Sequence, residues 1–196
     1  RWLDGQCRQP DLLQPVLLEF CRKIVAFLTT TGGLALNDLL RFKYQLAKAV
    51  QEKIAAYRPV AVVASPEPKA TETAHIIAAR LGTPVDVDPG LHEHKRRHLS
   101  FGTEEAFREK IARIFASPNQ PVGGIETAEE ACERLAGALA QHKGRPLVAV
   151  THGTALSLYV ARLLGCDAHD LWRTLQMPDA FVLDAQGGLV ERVSLP

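Results

Sequence analysis

Apolar and polar positions along the chain alternate between two regimes. Short, unbroken apolar runs occur at Lys23 to Leu28 (KIVAFL), Val60 to Ala64 (VAVVA) and Leu147 to Thr151 (LVAVT), each bounded by turn-forming residues. Such runs, lacking the every-second-residue polar position of a half-exposed strand, read as strands buried on both faces. Between them the apolar positions recur every three or four residues. In NDLLRFKYQLAKAVQEKIAAY these are Leu39, Phe42, Leu46, Val50 and Ile54, behind an Asn37/Asp38 cap.

Four more helices follow the same logic. ATETAHIIAARLG stops at Gly82, a residue that tolerates the left-handed turn after a helix. GTEEAFREKIARIFASP carries Thr103 as N-cap, Glu104 and Glu105 in the first turn, and Pro118 as its stop. TAEEACERLAGALAQHKG opens with Thr127 and Glu130 at capping-box spacing, and another helix runs from Thr154 to Leu164. The tail AFVLDAQGGLVERVSL reads as two strands joined through Gly187 and Gly188. Strands alternating with helices predict a three-layer α/β sandwich around a mostly parallel sheet.

Three loops then fall at strand carboxyl ends, where open α/β sheets place their ligands: TTTGG, SPEPK and HG. If the three strands are neighbours, Thr29 to Gly33, Ser65 to Lys69 and His152-Gly153 converge on one crevice. Hydroxyls, an ammonium, an imidazole and glycine N–H groups suit a phosphate. The plainer reading of TTTGG is a strand-to-helix turn with a Thr cap, and that of Lys69 is surface charge.

Composition narrows the classes. With 196 residues and 46% hydrophobic content the chain can build one sizeable core, and one domain is expected. Lys+Arg and Asp+Glu number 23 and 22, so no basic field recruits nucleic acid or an anionic membrane. Cys7, Cys21, Cys132 and Cys166 show no metal-ribbon or disulfide spacing, which points to reduced thiols and a cytoplasmic location. No apolar run is long enough for a membrane span, and RWLDGQCRQP lacks a signal-peptide core. Arg1 in place of an initial Met reads as a processed or trimmed start.

Taken together, ASPEPKATETAHIIAARLG resembles the Ser-Ser-Pro-x-x-Arg-Ala-x-x-Thr-Ala signature of the histidine phosphatase superfamily, the phosphoglycerate-mutase-like fold. LVAVTHGTALSLYVARLLG is similar to that family's late strand, His-Gly and helix. GGIETAEEACERL resembles its Gly-Glu-Ser helix start, and LHEHKRR stands where the family has an acidic residue after a leucine. The resemblance covers a single domain over 23–196 and leaves 1–22 as an N-terminal extension.

The resemblance implies a metal-free, cofactor-free phosphatase or mutase, in which a histidine after the first strand takes the phosphoryl group. By matching position, His152 is the phosphate-contacting histidine and Glu93 the candidate general acid. The phosphate-binding set becomes Thr30, Thr31, Gly32, Lys69 and His152. Thr30 stands for the first arginine, Thr31 for the nucleophilic histidine, and Lys69 for the second arginine. A Thr hydroxyl needs a base to attack phosphorus, and loss of a nucleophile costs on the order of a millionfold in turnover. Lysine for arginine removes a planar two-pronged donor.

Three functions are therefore compared. One is a phosphate-binding protein that lacks phosphohistidine catalysis, taking a phosphorylated small molecule and acting with or without a protein partner. The second is an atypical phosphomonoester hydrolase that uses His152 and Glu93. The third is a metal-assisted hydrolase built on His92, His94 and His98, against which the ordinary reading is a solvated basic loop. Glu93 and Glu126 have plain readings too, as a surface ion-pair partner and as an acid at a helix start.

Overall fold

A computed structural model describes residues 13–19 as backbone, together with 52–96, 103–142, 144–176, 179–184 and 186–194. Six strands form one sheet: β1 (Leu13–Glu19), β2 (Ala61–Ala64), β3 (Val85–Val87), β4 (Leu147–Thr151), β5 (Asp179–Asp184) and β6 (Leu189–Ser194), in the order β3-β2-β4-β1-β5-β6. The pairs β3·β2, β2·β4 and β4·β1 are parallel, while β1·β5 and β5·β6 are antiparallel. The expected mixed α/β architecture with a parallel central sheet is present.

Burial on both faces follows residue by residue. In β2, Val62 and Ala64 face one core with Val148, Val150 and Val182, while Ala61 and Val63 face the other with Leu147, Ala149, Phe181 and Leu183. Every β2 and β4 residue is buried, which is why these strands carry no polar alternation. Helix α1 (Pro68–Leu81) covers the first face through Ala70, Ala74 and Ile77. Helices α3 (Ala128–Gln141) and α4 (Gly153–Leu164) cover the second through Leu135, Leu139, Leu156 and Val160. Helix α2 (Glu104–Ala116) packs Ile111 and Ile114 in a smaller cluster with Trp172 of α5 (Ala168–Thr174).

The helix signals read from sequence hold. Pro68 sits in the first turn of α1, and Gly82 closes it at φ 66°. Thr103 Oγ1 accepts from Ala106 N–H, and Thr127 and Glu130 form a complete capping box. Gly187 and Gly188 join β5 to β6. Of the helix expected from Asn37 to Tyr57, the described part comprises a helical stretch at 52–54 and a 3-10 turn at Ala55–Tyr57, with Ile54 buried.

The strand expected at Lys23 to Leu28 lies outside the described residues. Within the stretch expected to be an N-terminal extension, Leu13–Glu19 is a strand between β4 and β5. A strand has only two pairing edges; those of β4 are filled by β2 and β1, and those of β2 by β3 and β4. The neighbour on the far side of β2 is β3, a three-residue strand too short to register as a pattern.

Candidate functional site

The parallel register brings three loops together. Ala64 of β2 pairs with Val150 of β4 and with Val87 of β3, so the residues after these strands emerge side by side. Ser65 N–H donates to Val150 O at 2.9 Å and extends the β2·β4 ladder to the crevice rim. Serine 65, Glu67 and Lys69 thus come from the β2 loop, His152 from the β4 end, and Glu93 from the segment after β3.

His152 is 1% exposed, and its Nε2 lies 2.7 Å from Ser65 Oγ and 3.3 Å from Glu67 Oε1. A carboxylate can only accept, so the network assigns the ring proton to Nε2. Burial pushes the His152 pKa down to about 4; Glu93 and Glu67 oppose that shift and Lys69 reinforces it. At neutral pH the ring is an uncharged N–H donor.

Glu93 is held differently from a proton donor. Its Oε1 accepts from His94 N–H at 2.8 Å and Ala155 N–H at 3.1 Å, and its Oε2 accepts from Thr154 N–H at 3.3 Å. It therefore caps the N-terminal end of α4, where free N–H groups favour negative charge. Arg96 lies 3.8 Å away. Burial alone would raise the Glu93 pKa, but Arg96, His152 and the His94 N–H outweigh it and bring it to about 2.

Glu67 was not singled out from sequence, although it lies inside the SPEPK loop. Its Oε1 accepts from Glu93 N–H at 3.1 Å and its Oε2 lies 3.2 Å from Lys69 Nζ. Burial raises its pKa, yet His152, the Glu93 N–H and Lys69 together leave it below the ordinary value. Ser65 Oγ takes the Glu67 N–H at 3.3 Å.

The loop that carries Glu93 is fixed from below. Arg134 of α3 donates to Gly90 O at 2.7 Å and to His92 O at 3.0 Å, and pairs with Glu126, whose Oε2 takes Lys95 N–H at 2.8 Å. Glu126 is thus a loop anchor rather than only a helix-start charge. Thr151 Oγ1 donates to Leu91 O at 2.7 Å, linking the same loop to β4.

Thr30, Thr31 and Gly32 lie outside the described residues, as does His98. Lys69 and His152 face the same carboxylate, and Glu93 adjoins them through its backbone. His92 Nδ1 donates to Glu93 O at 2.6 Å, and His94 is 3% exposed with neither ring nitrogen hydrogen-bonded among the described residues. Among the described residues no group of three His, Cys, Asp or Glu side chains is placed to hold a metal.

Arg96 links the crevice to a concavity of about 380 Å³ lined by Arg96, Lys110, Arg113, Gln120 and Gly123 among others. One face of its guanidinium chemistry reaches the crevice, with Nη1 donating to Thr154 Oγ1 at 3.3 Å. Among the described residues no carboxylate lines the concavity, so its cations suit an anionic group.

The family model for the histidine phosphatase superfamily (branch 1) matches residues 38–184. A curated relative, described as a probable phosphoglycerate mutase GpmB from Cronobacter sakazakii, is 31% identical over 133 residues, covering 63% of this chain. The match spans 61% of that relative's length. Among solved structures, a mycobacterial hydrolase matches with TM-score 0.65 at 18% identity over 88% of this chain and 92% of its own. A mycobacterial glucosyl-3-phosphoglycerate phosphatase complexed with VO3 gives 0.59 at 20% identity over 83% and 85%. A phosphoserine phosphatase mutant from Entamoeba histolytica, in complex with phosphoserine, gives 0.63 at 16% identity over 90% and 94%. Identities this low carry the fold alone. No described helix is long and apolar enough to cross a membrane.

Proposed function

Because the chain belongs to the histidine phosphatase superfamily, we propose that it binds the phosphate of a small molecule in the crevice of Lys69 and His152 and lacks the ordinary phosphohistidine step. The observation that carries this reading is positional. Thr31 stands where the family has its nucleophilic histidine, and residues 20–74, between β1 and His75 of α1, contain no histidine. The phosphate donors in this reading are the Lys69 ammonium, the His152 Nε2–H, and Thr30, Thr31 and Gly32.

Glu93 supports the same reading against an atypical hydrolase. A carboxyl with a pKa of about 2 and three backbone donors is ionised at pH 7 and has no proton to give a leaving oxygen. Its work here is to orient the start of α4, whose first residues follow His152. The concavity at Arg96, Lys110 and Arg113 takes the remainder of the ligand, and the relatives with bound phosphoserine and VO3 support a phosphorylated small molecule. Cysteines without a pairing pattern support a reducing, cytoplasmic setting.

Calorimetric titration with inorganic phosphate tests the binding half. The expected result is saturable one-site binding that Lys69→Met and His152→Gln each weaken at least several-fold. Wild-type affinity retained in both variants would place the phosphate elsewhere.

A further inference from the structure

We propose that the Glu67 carboxylate is a built-in anion occupying the phosphate position of the crevice, and that a ligand phosphate binds by displacing it. This rests on the phosphate-binding reading above and adds a residue that sets which ligands succeed. The carboxylate already uses three donors of the kind a phosphate needs: the Lys69 ammonium at 3.2 Å, the His152 Nε2 at 3.3 Å and the Glu93 N–H at 3.1 Å. These donors meet at one side chain, and both of its oxygens are engaged.

Charge leads to the same conclusion. With His152 neutral, Lys69 and Arg96 face Glu67 and Glu93, so among the described residues the cations are already matched before any ligand arrives. An incoming dianion that left Glu67 in place would meet a like charge at hydrogen-bond range, at a cost several times larger there than in bulk water. His92, the other titratable group near the ring, is held toward its neutral form by burial, so it adds no compensating charge.

The local structure supplies a way out for the side chain alone. Glu67 precedes Pro68 and lies at φ −68°, ψ 134°, the extended region to which a following proline restricts a residue. Its N–H is tied to Ser65 Oγ, so the backbone stays put. The side chain is 36% exposed, and rotation about its own bonds carries the carboxylate to solvent. Displacement then acts as a threshold: a small anion with few contacts competes poorly, and a larger phosphorylated ligand with additional contacts prevails.

The test is calorimetric titration of sodium phosphate at pH 7 and constant ionic strength into wild type, Glu67→Gln, Glu67→Ala and Glu67→Gln with Lys69→Met. Glutamine keeps the size and the acceptor for Glu93 N–H while removing the charge; alanine removes both. The expected result is phosphate binding roughly tenfold or more tighter in both single variants than in wild type, a gain lost in the double variant. Thermal melts confirm that each variant is folded. Wild-type binding that neither single variant improves would overturn the inference alone. Absence of binding in all four proteins would overturn the phosphate-crevice reading with it.

Discussion

At the scale of single residues, the crevice is governed by two groups whose protonation is set by their surroundings. His152 holds its proton less tightly in the folded chain than in the unfolded one, its pKa falling from 6.5 to about 4. Unfolding therefore takes up a proton in that interval, and the stability contributed above pH 6.5 is lost as pH falls toward 4. Glu93, depressed from 4.5 to about 2, adds a second loss at lower pH, between those values. Thermal melts at stepped pH should show the midpoint declining from pH 6.5 downward, and His152→Gln should flatten the decline between 6.5 and 4. A variant whose decline matches wild type through that interval would show that His152 is not the group responsible.

At the scale of elements, the segment after β3 depends on α3. Removing the Arg134 guanidinium by Arg134→Met leaves Glu126, 6% exposed, without its cation and frees the carbonyls of Gly90 and His92. Urea denaturation should show a loss of about 3 kcal/mol, with Glu126→Gln costing less because the amide still accepts a hydrogen bond. Gly90→Ala should cost about 1–3 kcal/mol, since a Cβ there would lie 2.5 Å from Ala138 Cβ of α3. Both effects are long-range, and this separates what could be read in the sequence from what could not. Caps, stops and buried strands were legible because Thr103, Thr127, Gly82 and the VAVVA run act through neighbours a few residues away. His152, Lys69 and Glu93 are singled out through motif resemblance, and the structure brings them together around Glu67. The Arg134 anchor, separated from Gly90 by 44 positions, and the place of Leu13–Glu19 in the sheet depend on tertiary pairing that no local pattern encodes. Glu67 was in plain view, but its position between Lys69 and His152 required the β2·β4 register.

At the scale of the whole molecule, a parallel sheet places three loop ends at one crevice, and Arg96 joins that crevice to a basic concavity. Lys110→Ala combined with Arg113→Ala should weaken a phosphomonoester bearing a second anionic group while leaving inorganic phosphate affinity unchanged, as read by calorimetry. Equal losses for both ligands would mean that the concavity acts only as a diffuse field. The central proposal, however, concerns chemistry at phosphorus: the family's fold is present, and Thr31 is proposed to stand where the family has the histidine that accepts the phosphoryl group. Turnover of p-nitrophenyl phosphate from pH 5 to 8, measured on wild type and His152→Gln at matched purity, tests it most directly. The expected result is release at the buffer background for both proteins across the range. Wild-type turnover well above background that disappears in His152→Gln would contradict the claim and assign hydrolysis to the crevice.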